Sequence, residues 1–110
     1  MLSLSNDAKI FVYQEPVNMR KSFEGLSLAI EKMFPDMLFK AFFVFLNKKR
    51  DLIKVFYWDG DGFVIWYKRL EKGSFIRKKD SESITRKDFF MMLEGIQPKR
   101  IQKRFKSDFF

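Results

Sequence analysis

The chain contains no cysteine and no histidine. Without cysteine there are no disulfides, no thiolate metal ligands and no thiol nucleophile. Without histidine the commonest general base is missing, and a zinc site would have to be built from carboxylates alone, which is uncommon. No serine has a histidine to activate it. No glycine-rich phosphate loop of the Walker or dinucleotide-binding type occurs. No run of about 18 apolar residues is present, so no membrane-spanning helix is expected. The first residues, MLSLSNDAKIF, lack the basic start and long apolar stretch of a secretory signal. The expectation is a non-catalytic cytoplasmic protein without cofactor or metal.

What remains is basic and rich in phenylalanine. The chain carries 22 basic and 14 acidic residues, a formal charge of +8. That balance favours nucleic acid or another polyanion as partner, although a solvated lysine-rich surface would carry the same charge. The 110 residues, 46% of them hydrophobic and 15 of them Phe, are enough for one domain with a real core.

Ile10 to Tyr13 is a short apolar run and a candidate strand, broken by Gln14-Glu15-Pro16 because proline removes a backbone donor and fixes φ. Asn18 fits an N-cap for a helix from Met19 to about Met33. Met19, Phe23, Leu26, Ile30 and Met33 share one face of that helix. Phe34-Pro35-Asp36 ends it, since a residue before proline avoids the α region. Ala41 to Leu46 reads AFFVFL, a buried strand by length and composition. Leu52 to Trp58 and Phe63 to Leu70 are strands joined by Asp59-Gly60-Asp61-Gly62, and Asp-Gly between apolar runs marks a hairpin. Gly73 marks a further turn, and Ser74 to Arg77 a short fourth strand of the meander. Thr85 fits the N-cap of a short helix from Arg86 to Glu94, with Gly95 as its stop. The fold expected is α+β: a single domain over 1–96, with an antiparallel meander of about four strands plus an N-terminal strand. One long and one short helix pack on one face of its sheet. Residues 97–110 form a basic tail, whose Lys99 to Lys106 could track phosphates or simply be solvated.

The candidate nucleic-acid contacts are Arg20, Lys21, Arg50, Lys54, Trp58, Lys68 and Arg69. Arg20 and Lys21 sit in the first turn of the long helix, where the helix dipole disfavours cations and an anionic partner would relieve them. Arg50 belongs to the Lys48-Lys49-Arg50 loop. Pairing 52–58 with 63–69 places Lys54 near Tyr67 and Lys68, where like charges repel unless an anion intervenes. The alternative is an edge strand charged against aggregation. Trp58 is either a platform for stacking bases or, more in keeping with strand aromatics, a packing residue beside the turn. Asp59 and Asp61, with Glu71 a strand away, could be read as metal ligands of a nuclease. Turn formation explains the two aspartates more simply.

Asn18-Met19-Arg20-Lys21-Ser22-Phe23-Glu24-Gly25-Leu26 resembles the opening motif of the insertion-sequence-66 accessory proteins, called TnpB, the product of the element's second open reading frame. Phe43-Val44-Phe45, and Arg50 followed by Ile53-Lys54-Val55, resemble that family's next block. Trp58-Asp59-Gly60 with Gly62, then Lys68-Arg69-Leu70-Glu71-Lys72-Gly73 with Phe75, resemble its most distinctive segment. Leu93-Glu94-Gly95-Ile96 resembles its closing motif. The chain departs from the pattern in having Asn18 for Asp, Ile76-Arg77 for Trp-Pro, and Gln97 for Asp. The resemblance implies a non-catalytic accessory factor of transposition, in an element whose DDE-type transposase is a separate, larger protein. DNA is the partner expected, and assembly with the transposase or another element-encoded protein the alternative.

Overall fold

A computed structural model of the chain describes residues 7–76 and 83–94. Its elements are β1 (Lys9–Val12), α1 (Phe23–Met33), β2 (Ala41–Leu46), β3 (Leu52–Trp58), β4 (Phe63–Arg69) and α2 (Arg86–Leu93). The strands form one sheet in the order β1-β2-β3-β4. β2, β3 and β4 are antiparallel neighbours, with Val44 opposite Val55 and Phe56 opposite Ile65. β1 instead runs parallel to β2, with Lys9 opposite Ala41 and Val12 opposite Val44. The sheet is therefore mixed: its antiparallel part has three strands, against the meander of about four expected, and the added N-terminal strand joins it in parallel. Parallel neighbours need a crossover, and α1 lies between these two strands in the chain.

The two helices also cover opposite faces, not one. Side chains alternate across a strand. Phe43, Phe45 and Phe56 point to the side of Leu26 and Ile30 of α1. Val44, Leu46, Ile53 and Val55 point to the side of Phe89, Met92 and Leu93 of α2. β2 is apolar at every position because both of its faces are covered. The phenylalanines concentrate on the α1 side, where Phe11 stacks on Phe34 and Phe43 and those two pack tilted against each other, with centroids 4.8 to 6.0 Å apart. Phe43, Phe45, Phe56, Phe75 and Phe89 are fully buried, each contributing about 1.5–3 kcal/mol relative to exposure.

α1 starts one turn later than its apolar spacing suggests. Asn18 caps a separate tight turn: its side-chain oxygen accepts from the Arg20 backbone N–H at 2.9 Å, and its carbonyl from that of Lys21 at 3.1 Å. Ser22, with extended backbone, holds the N-cap position. Thr85 caps α2 as expected, its hydroxyl oxygen accepting from the Asp88 N–H at 3.1 Å. Ser74–Ile76 is not a strand. Phe75 instead docks its ring in the α2-side core and donates its N–H to the Arg50 carbonyl at 2.6 Å. Between β3 and β4 the Asp59 N–H donates to the Gly62 carbonyl at 2.8 Å. Gly60 there has φ 87°, and Gly73 has φ 77°, both left-handed. Arg77, Gly95 and the tail at 97–110 lie outside the described residues.

Candidate functional site

The hairpin register separates the cations that adjacency in sequence groups together. Lys54 faces Tyr67, whereas Lys68 faces Ile53 and so lies on the other side of the sheet. Both lysines are held by protein carbonyls. The Lys54 ammonium is buried and donates to Met19 O at 2.6 Å and Lys21 O at 3.1 Å. It also sits 5.2 Å from the centroid of the Tyr67 ring. Burial lowers its pKa below the usual lysine value, since desolvation penalises the charged form. The Lys68 ammonium donates to Leu93 O at 2.7 Å, fastening β4 to the last turn of α2. That end of a helix presents unpaired carbonyls and partial negative charge.

Lys54 thereby pins the Asn18–Lys21 turn against the sheet. The turn forms one wall of an open groove of about 580 Å³, and the loop after β2 forms another. Arg20, Lys48, Lys49, Leu52 and Tyr67 line this groove. The loop is ordered by Asn47, whose side chain accepts from the Leu52 N–H at 3.0 Å and donates to an Asp51 carboxylate oxygen at 2.7 Å. Arg20, Lys48 and Lys49 are exposed, and their side chains have no partner among the described residues. Among those residues Asp51 is the one carboxylate lining the groove, and Asn47 already engages it. Arg69 is exposed and pairs with Leu52, which places it on the same sheet face. Lys21 is exposed beside Arg20, with its aliphatic stem along Gly25. Arg50 lines a neighbouring depression with Tyr13, Glu15 and Lys48, in left-handed conformation at φ 58°.

Trp58 stands at the far end of β3 from these groups. It is half-buried, packing edge-on against Phe39 at 5.1 Å and against its cross-strand partner Phe63 at 5.0 Å. The exposed aromatic among the cations is Tyr67, 52% accessible. Sequence reasoning favours Trp58 over it, although the same register that pairs Tyr67 with Lys54 also places it there. Asp59 and Asp61 are exposed in the turn. The Asp59 charge acts on Tyr57, whose pKa is raised by burial and by that carboxylate. Among the described residues no three His, Cys, Asp or Glu side chains are grouped as a metal site, and no helix is long and apolar enough to cross a membrane.

These features define a small α+β domain with a groove rimmed by cations that have no partner among the described residues. A model of the family described as IS66 Orf2-like proteins matches residues 8–103, and the chain belongs to that family. It is thus a transposition-associated accessory protein. It is similar to the uncharacterized protein y4jC of Sinorhizobium fredii, with 29% identity over 108 residues that cover 94% of this chain and 92% of that protein. No solved structure matches it.

Proposed function

We propose that this accessory protein acts without catalysing a reaction, by binding nucleic acid through the groove between the Asn18–Lys21 turn and the loop after β2. The observation that carries the reading is the convergence of Arg20, Lys48 and Lys49 on one groove, exposed and without protein partners among the described residues. Like charges brought together repel, and phosphates between them reverse the sign of that interaction. The net charge of +8 adds long-range attraction. Lys21, Arg50 and Arg69 extend the basic rim. Lys54 supports it from within, through the Met19 and Lys21 carbonyls.

Titration of element-end and unrelated DNA at several salt concentrations tests this. Affinity should fall with salt. In each of Arg20→Ala, Lys48→Ala and Lys49→Ala, the slope of log K against log salt should drop by about 0.7–0.9 for every phosphate no longer neutralised. Absence of binding at low salt would sink the reading.

A second reading is assembly with the element's transposase. It is favoured by Phe39, 58% exposed, which with Trp58 and Phe63 forms an aromatic cluster outside the groove. Co-purification of the two proteins, abolished in Phe39→Ser, would support it.

A further inference from the structure

We infer that the groove takes a single-stranded nucleic acid, with one base stacked on Tyr67 and the flanking phosphates held by Arg20, Lys48 and Lys49. This rests on the nucleic-acid reading above and narrows it. Tyr67 lies on the α1 side of the sheet, opposite Lys54, yet 52% of it is exposed. The Lys54 ammonium holds its ring from within the fold, and that ammonium is itself fixed by two carbonyls. The ring is therefore set in place before any ligand arrives, which lowers the ordering cost of binding. Its exposed part opens on a groove of about 580 Å³, within the ~300–1,000 Å³ of pockets that enclose small-molecule-sized groups. A nucleotide fits that description.

The choice of strand over duplex follows from which surfaces are free. In a duplex each base face is covered by its neighbours, so an aromatic ring in a groove has nothing to stack on. In a single strand the face is available, and an aromatic platform among cations is the arrangement that captures it. Cations alone would suit either form. It is the exposed, braced ring among them that distinguishes the two.

The test uses the full chain with a fluorescein-labelled oligothymidylate and a duplex of the same length, at one low salt concentration. The single strand should bind more tightly. Tyr67→Ala should weaken strand binding about 5- to 150-fold, while changing duplex binding less than about twofold. Tyr67→Leu keeps apolar contact with the sheet but lacks the π face, and should weaken strand binding similarly. Tyr67→Phe should retain it. An oligouridylate separates RNA from DNA strands, and tight binding to either supports the stacking. Equal or tighter binding of the duplex, or undiminished strand binding by both Tyr67→Ala and Tyr67→Leu, overturns the inference and leaves the broader reading standing. Absence of binding to strand and duplex alike overturns both.

Discussion

Lys54 is a charged side chain whose contacts are all inside the protein. Its ammonium holds two carbonyls of the turn that carries Arg20. Replacing it with Met keeps most of the stem but leaves those carbonyls short of a donor. The expected cost is about 1–3 kcal/mol, read as a lower urea midpoint with unchanged m-value. Nucleic-acid affinity should fall as well, because the turn is released. The salt slope should stay as it was, since the Lys54 ammonium is already engaged by those two carbonyls. A reduced slope in Lys54→Met would show direct contact instead. The pKa adds a pH signature. Because burial lowers the folded value, the folded chain binds fewer protons than the unfolded one between that value and the usual lysine value. The contribution of Lys54 to stability therefore rises with pH across that window. The stability gap between wild type and Lys54→Met should widen there, and a gap constant with pH would refute it.

At the scale of elements, the β3–β4 loop offers a paired comparison. Gly60 has φ 87° and Gly62 has no positive φ, while a Cβ at either would meet nothing within 4 Å. Space is thus equal and conformation differs. Gly60→Ala should destabilise by about 1–2 kcal/mol, whereas Gly62→Ala should stay within about 0.5 kcal/mol of wild type. Equal denaturant midpoints for the two variants would contradict this. The same elements show what is legible in the sequence. β2, β3, β4 and α2 fall within a residue of their expected bounds, because apolar runs bounded by Asp-Gly, Asn47 or a capping threonine carry their limits locally. The apolar spacing begins α1 too early, because Asn18 has the chemistry of a cap and uses it on a turn. The opposite placement of the helices is encoded in the unbroken AFFVFL of β2, which has no polar face to leave open. The site is harder to read. Lys54 and Lys68 look alike in sequence, and only their carbonyl partners, distant along the chain, show that neither is free. Sequence groups Lys48 and Lys49 with Arg50 in one loop, but their convergence with Arg20 depends on the tertiary anchoring of the Asn18–Lys21 turn.

At the scale of the molecule, the sheet divides two tasks between its faces. The α1 side carries most of the stacked aromatics, the groove and Tyr67, while the α2 side holds the second core and the Lys68 tether. The family match at 8–103 spans all six elements. The mixed sheet has a further consequence, for the order in which the chain folds. The β3–β4 and β2–β3 pairings join neighbours in sequence through short loops. β1 can find β2 only after the segment from Val12 to Ala41 has closed on itself. Loop closure must be met before such distant contacts reward it. Conservative truncations in the hairpin, such as Val55→Ala, should slow folding, giving φ-values well above those at Ile10 in β1, where Ile10→Val should mainly speed unfolding. High φ-values at Ile10 would place the parallel strand in the nucleus instead. On this order, β1 is the last strand to lock, at the edge of the sheet farthest from β4 and Tyr67.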